Sequence, residues 1–260
     1  MKDRLFALIA YLNYWLQKED EYSLQGPFLS DLYSELRQYL KISNQSDLEI
    51  EGFRNSLLKN PEKIQVLDLG AGSKKVNTQQ RKISDITAYS TSGKKFCKLY
   101  QYFCSLTPAK HIIELGTCMG ISTRYLASAA KGMVYTFEGS EEIQKTAKQN
   151  SSNYPIEFIG GEIKTTLPKV LRKIPSVDFA LIDANHTYEG TIRSFDLILN
   201  KIHSQSIIAI ADIHWSKGMT KAWTEIKNRP EVKLSLDFYE AGILFFEVPF
   251  TKPRHLVLSI

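Results

Sequence analysis

The chain is 260 residues long, 43% hydrophobic and 23% charged, with 33 basic against 28 acidic residues and a net charge of +5. These values exclude a collagen-like, disulfide-scaffolded or wholly disordered chain and fit one large domain, or one domain with an appendage. The basic excess is too small to indicate nucleic acid by itself. Cys97, Cys104 and Cys118 form no C-x-x-C pair, so reduced thiols in a cytoplasmic protein are expected.

The first sixty residues read as helices. Leu5, Leu8, Ile9, Leu12 and Leu16 follow the i, i+3, i+4, i+7 rule, widened by Tyr11, Tyr14 and Trp15. A packed helix is expected there, with a homodimer contact or a membrane-surface helix as the alternatives. The run is too short to span a bilayer, and no other stretch is long enough. Ser23-Leu24-Gln25-Gly26-Pro27-Phe28 breaks the pattern, and a second helix capped by Ser30 or Asp31 places Leu32, Leu36 and Leu40 on one face. After a short strand-like run, Ile64–Leu69, come Gly70-Ala71-Gly72-Ser73 and the most polar part of the chain. Between Gly72 and Lys98 seven basic residues (Lys74, Lys75, Arg81, Lys82, Lys94, Lys95, Lys98) stand against one acid, Asp85, and Ser90-Thr91-Ser92-Gly93 reads as a loop. So many cations are not expected in packed core, because unpaired buried charges are strongly unfavourable.

From about residue 110 strands alternate with helices. The strands are His111–Leu115, Met133–Glu138, Ile156–Ile159, Val177–Asp183 and Ser206–Asp212; helical patterns cover Ser122–Lys131, Glu141–Asn150, Thr165–Lys173, Tyr188–Ile202 and Thr220–Asn228. This alternation predicts β-α-β units and a parallel sheet covered on both faces. Val232–Tyr239 and Ile243–Val248, separated only by Glu240-Ala241-Gly242, predict a terminal antiparallel hairpin. The expected fold is therefore a Rossmann-like, doubly wound, mostly parallel sheet of seven strands with a C-terminal antiparallel hairpin and an N-terminal helical extension. It divides the chain into a helical cap (1–62), a basic connecting segment or lid (63–105) and the sheet domain (106–260).

The sharpest local signal is Ile112-Ile113-Glu114-Leu115-Gly116-Thr117-Cys118-Met119-Gly120, an apolar strand running through Gly-x-x-x-Gly into a helix. Glycines allow a ligand close to the backbone. Glu138 ends the second strand, where a carboxylate can accept from a ribose diol. Gly160-Gly161-Glu162 follows the third strand and Asp183 ends the fourth, so acids converge on one sheet edge. Neither glycine cluster reads G-x-G-x-x-G, which disfavours a nicotinamide-dependent oxidoreductase. Asp68-Leu69-Gly70-Ala71-Gly72-Ser73 also looks like a cofactor loop, but Lys74 to Arg81 after it offers no apolar face, so it is assigned to the cap.

This constellation resembles the class I S-adenosylmethionine-dependent methyltransferases over roughly residues 106 to 250. Asp183-x-x-His186-x-Tyr188-Glu189-Gly190 and Ala211-Asp212-Ile213-His214-Trp215 are similar to a branch of small-molecule O-methyltransferases, and Ser23 to Phe28 resembles a substrate-side extension of some bacterial members. The resemblance implies S-adenosylmethionine as cofactor. Glu114, Gly116, Thr117 and Gly120 would surround its methionine part. Glu138, with Gly139 and Ser140, would hold the ribose. Gly161 and Glu162 would lie near the adenine, with Asp183 closing the site.

For catalysis, His186 stands where metal-dependent catechol-type relatives place a lysine base, and an imidazole can serve there. Asp183 and Asp212 match positions that bind a divalent ion in those relatives. The third ligand position is Ile213 here, so the sequence departs from the pattern, and His214 is the substitute. The expected catalytic set is His186, Asp183 and His214, and the candidate metal set Asp183, Asp212 and His214, with metal dependence left open. His186 as a helix-start cap and His214 as a strand-end residue are the competing readings; His111 and His203 are read as structural. The expected function is methylation of an oxygen on a small molecule, with an anionic acceptor left open. The alternatives are a nucleic-acid methyltransferase, disfavoured because no Pro-Pro-Tyr type pocket follows strand four, and an inactive cofactor-binding protein.

Overall fold

A computed structural model describes residues 2–24, 26–67 and 79–260. Three helices come first: α1 (Lys2–Gln17), α2 (Pro27–Lys41) and α3 (Gln45–Leu58). The strands β1 (Lys63–Gln65) and β2 (Gln80–Lys82) pair antiparallel, and α4 (Ile83–Ser90) and α5 (Lys94–Ser105) lead into the main sheet. There follow β3 (His111–Leu115), α6 (Ile121–Ala129), β4 (Met133–Glu138), α7 (Glu141–Lys148), β5 (Ile156–Gly160) and α8 (Ile163–Lys173). The second half holds β6 (Phe179–Ile182), α9 (Tyr188–Leu199), β7 (Ile207–Ala211), α10 (Lys217–Lys227), β8 (Leu234–Asp237), β9 (Ala241–Phe245) and β10 (Arg254–Val257).

The main sheet has the order β10-β8-β9-β7-β6-β3-β4-β5. Strands β3 to β7 are mutually parallel, β9 runs antiparallel to both β7 and β8, and β10 lies parallel to β8. The doubly wound sheet and the antiparallel pair are as expected, but the sheet has eight strands rather than seven. The extra strand, Arg254–Val257, is four residues long and polar at its start, so no apolar run announces it.

Side chains alternate between the two covered faces of the sheet, as a period of two requires. Ile112, Val134 and Phe179 pack on one face with Leu29, Leu36 and Phe103, while Ile113, Phe137 and Ala180 pack on the other with Phe195 and Trp223. The N-terminal helices thus share a core with the sheet. Pro27 stands in the first turn of α2, where its fixed φ is pre-organised for a helix, so α2 starts a turn before Ser30 or Asp31.

Two expectations are corrected by packing. On α1, Leu8, Leu12 and Leu16 are 56%, 46% and 72% exposed. The docking face is the aromatic one: the Tyr14 hydroxyl donates to the Leu258 carbonyl, and Tyr11 and Tyr14 pack on Tyr239. In the basic segment Lys98 is buried after all, because its ammonium meets the buried Asp47 carboxylate at 2.9 Å. A buried charge is tolerated when it is paired. Asp47 in turn closes the capping box of α3 with Asn44.

Candidate active site

The strand order reverses at β3, with β4 and β5 on one side and β6 and β7 on the other, and ligands of open α/β sheets bind in the crevice beyond such a point. There the structure has a cleft of about 600 Å³. Gly116, with φ +104°, lies so close to β6 that a Cβ would sit 2.1 Å from the Asp183 carbonyl oxygen. Any side chain there would separate the two tips. Glu138 lines the cleft, held by the amides of Cys118 and Ser140 at 3.0 and 2.9 Å. Gly139, Gly161, Glu162 and Asp183 also line it.

Glu114, Thr117, Gly120 and Ser140 stand behind the lining. Glu114 is fully buried, and its Oε2 accepts from the hydroxyls of Thr123 at 2.5 Å and Thr136 at 2.6 Å. Burial pushes its carboxyl up to about 7, against the lowering effect of these hydroxyls. Thr117 shares a hydroxyl contact of 2.6 Å with Thr136. Gly120 caps α6 in the left-handed conformation, and the buried Arg124 guanidinium donates to its carbonyl and to that of Ala147. Ser140 Oγ accepts from the Leu67 amide. These four residues shape the loop from below.

Beyond β3 the cleft changes character. His186 sits between two carboxylates, with Nε2 3.8 Å from Asp183 Oδ1 and Nδ1 3.6 Å from Asp212 Oδ2. The Ser92 hydroxyl donates to Asp183 Oδ2 at 3.3 Å. Burial, followed by the neighbouring Asp212 and Glu114 carboxylates, raises the Asp183 carboxyl well above its ordinary range. Backbone strain gathers here as well. Among the described residues, Cys118, Asn185, His186 and Asp212 have positive φ and line the cleft. Non-glycine residues are rarely held there, and such strain concentrates at functional sites.

His214 does not join this group. Its Nε2 lies 2.8 Å from Asp237 Oδ2 and its ring stacks on Tyr239, which turns it away from the Asp183–Asp212 pair. Among the described residues, the set of three His or carboxylate groups whose donor atoms lie within 4.8 Å of one another is Asp183, His186 and Asp212. His186 therefore takes the place expected of His214. His203 and His111 lie near Asp178, at the other end of β6.

Two lining residues, Phe96 and Tyr100, belong to no motif of the sequence. Phe96 and Tyr100 form one stripe of α5 along the cleft, with Gly93 at the N-cap of that helix, and Trp215 and Glu240 flank the Asp212 side. The helical spacing of Phe96, Leu99, Tyr100 and Phe103 was the available signal. Arg81 of the basic segment also lines the cleft; Asp68 to Gly72, Lys74 and Lys75 lie outside the described residues.

Residues 113–213 match the model of a family described as a methyltransferase domain. No curated protein matches the chain in sequence. Among solved structures, an O-methyltransferase from Bacillus cereus in complex with S-adenosylhomocysteine is 18% identical with a TM-score of 0.57, over 81% of this chain and 94% of that one. A methyltransferase from Podospora anserina, also bound to S-adenosylhomocysteine, is 15% identical with a TM-score of 0.57, over 87% and 100%. An O-methyltransferase of tomaymycin synthesis from Streptomyces achromogenes is 15% identical with a TM-score of 0.53, over 62% and 83%. At these identities the structures speak for the fold, and the family match speaks for the domain it covers. Residues 113–213 thus match a methyltransferase domain, set in a fold shared with these methyltransferase structures.

Proposed function

We propose that the protein moves the methyl group of S-adenosylmethionine onto a hydroxyl oxygen of a small molecule. The carrying observation is the seat of His186 between Asp183 and Asp212, across the β3 tip from Glu138. The residues present fit such a cofactor: a carboxylate faces the cleft at β4, and Gly116 and Gly161 adopt positive φ at the adjoining strand tips. When bound, S-adenosylmethionine supplies a methyl group already activated on a sulfonium. Glu138 would hold the ribose hydroxyls, Gly161 and Glu162 would flank the adenine, and the loop from Gly116 to Gly120 would accommodate the methionine part. His186 would take the proton of the acceptor hydroxyl as the oxygen–methyl bond forms and the sulfur–methyl bond breaks, leaving a neutral thioether. Alignment supplies much of the acceleration in such a transfer.

Asp183, His186 and Asp212 also fit a divalent cation by donor chemistry and by their mutual spacing within 4.8 Å. When bound, such an ion would offset the two like charges and acidify a nearby hydroxyl. In that case His186 is a ligand and not the base. Exhaustive chelation separates the two: a histidine base keeps its activity, whereas a metal site loses it. Three carboxylates, Asp183, Asp212 and Glu240, and the rings of Phe96 and Trp215 line the half of the cleft that this scheme gives to the acceptor. This favours a neutral or cationic acceptor over an anionic one.

The test is label transfer from methyl-labelled S-adenosylmethionine to a panel of alcohols, phenols, carboxylates, RNA and protein. Label in hydroxylated small molecules is expected. Label in RNA or protein alone would overturn the proposal.

A further inference from the structure

The helix α5 brings one polar group into the cleft that the scheme above leaves unused. Tyr100 is only 2% exposed and lines the cleft, yet its hydroxyl makes no hydrogen bond with any described residue. The oxygen is not among the fully buried side-chain atoms left without a partner, so it opens onto the cleft, where a bound molecule can reach it. The side chain is fixed by its surroundings: Cys97, Phe103 and Cys104, three or four residues away on α5, are all buried. Its hydroxyl is therefore held in place with nothing in the protein to bond.

Its position is on the acceptor side. The helix that carries it, α5, packs on β6 and β7. After burial itself, the groups whose charge bears on the phenol are Asp183 and Asp212, then Cys97 and Glu240; Glu138 is not among them. Asp183 and Asp212 follow β6 and β7, and Glu240 precedes β9, three strands that are neighbours in the sheet. Glu138 ends β4, two strands from β6, and adjacent strands lie about 4.8 Å apart. A phenol is protonated at neutral pH, and burial among carboxylates keeps it so. What it offers is a donor.

We propose that Tyr100 binds the methyl acceptor, its hydroxyl donating to the same acceptor oxygen whose proton is taken by His186. The oxygen would then be held between a donor and a base, with a lone pair left to meet the methyl group. Such a site also selects. An analogue lacking the oxygen leaves the buried hydroxyl unpaired, the situation in which polar sites discriminate most strongly. This assignment rests on the hydroxyl-acceptor reading above.

Because Phe96 and Trp215 offer aromatic walls, 4-methylphenol is a suitable probe, with 1,4-dimethylbenzene as its counterpart lacking the hydroxyl. Calorimetry of Tyr100→Phe, which removes one oxygen and keeps the packing, is expected to show S-adenosylhomocysteine affinity within about twofold of wild type. On the S-adenosylhomocysteine complex, 4-methylphenol should bind roughly 3- to 15-fold more weakly to the variant, the loss of one hydrogen bond. Binding of 1,4-dimethylbenzene should not weaken. Equal affinity of both proteins for 4-methylphenol overturns the assignment and leaves the methyltransferase reading intact. A comparable loss of S-adenosylhomocysteine affinity also overturns it, by placing Tyr100 on the cofactor side. No binding of 4-methylphenol to the wild-type complex defeats the aromatic hydroxyl-acceptor reading, and the Tyr100 assignment falls with it.

Discussion

The amide of Cys118 donates to Glu138 Oε2 over 3.0 Å, and the amide of Ser140 donates to Oε1 of the same carboxylate over 2.9 Å. One side chain at the tip of β4 thus ties the glycine loop after β3 to the turn that starts α7. Both amides require an acceptor. A carboxylate satisfies them together, whereas an amide side chain can satisfy only one.

The first prediction follows from that geometry. Glu138→Ala should weaken S-adenosylmethionine binding by roughly tenfold to a few hundredfold for each ribose hydrogen bond lost, since hydrogen bonds to charged groups contribute about 1.5–3 kcal/mol each. Glu138→Gln should be nearly as damaging, because its NH₂ group would face a backbone N–H. Calorimetry on both folded variants checks this. A glutamine variant with wild-type affinity would show that the orientation of the carboxylate is irrelevant.

The two histidines near the acids should behave in opposite ways. His186→Ala should lower methyl transfer by about 10²- to 10⁴-fold, the usual contribution of a general base. His214→Ala should leave transfer within a fewfold but lower stability. It removes one of the partners of the buried Asp237, whose Oδ2 also accepts from Trp223 Nε1 at 3.0 Å. A cost of about 1–3 kcal/mol is expected. Urea melts and rates measured on both variants decide it; a stable but inactive His214→Ala would reverse the assignment.

That pair also marks where the sequence stops being legible. The strands β3, β6 and β7 are readable because parallel strands buried on both faces form nearly continuous apolar runs. The glycine loop and Glu138 were readable because their backbone and charge requirements are local. After a strand ends, direction is set by backbone turns. His186 and Asp212 adopt positive φ, and no pattern of residue types announces which way the chain then aims His186 or His214. In the segment before β3, the count of cations hid the helical spacing that brings Tyr100 to the cleft. On α1 the longer apolar stripe proved to be the outer one, because the contact is made by tyrosine rings and a hydroxyl and not by aliphatic area.

Glu114 provides a prediction on pH. Its folded carboxyl lies near 7, above the ordinary 4.5, with burial as the main cause. The folded state therefore holds the proton more tightly than the unfolded state. Stability from this group is fully present below about pH 4.5 and is lost as pH rises to about 7. The loss is on the order of 3 kcal/mol at most. Glu114→Gln removes it. The stability difference between variant and wild type should shift in favour of the variant between pH 4.5 and 8, as read from urea midpoints. A difference that stays constant over that range would mean Glu114 is ionised throughout.

Asp178 has the opposite sign and lies at the far end of the sheet from the cleft. Burial raises its carboxyl, but the His111 and Lys110 amides, each at 2.8 Å, and His203 Nε2 at 2.7 Å outweigh it, so the net direction is down. The folded state thus favours the ionised form. The corresponding stability is present above the ordinary Asp range, near pH 3.9, and is lost as pH falls through the lower folded value. Asp178→Asn is close to isosteric with the protonated acid and cannot accept on both sides. It should be clearly less stable than wild type at pH 7, and the gap should narrow as pH falls below about 4. Methyl transfer at neutral pH and moderate temperature should be little changed in the fraction that remains folded, because Asp178 is not among the residues lining the cleft. Urea unfolding of both proteins at pH 7, 5 and 3 supplies the measurement. A gap as wide at pH 3 as at pH 7 would show that the ionised carboxylate is not what His111, Lys110 and His203 stabilise.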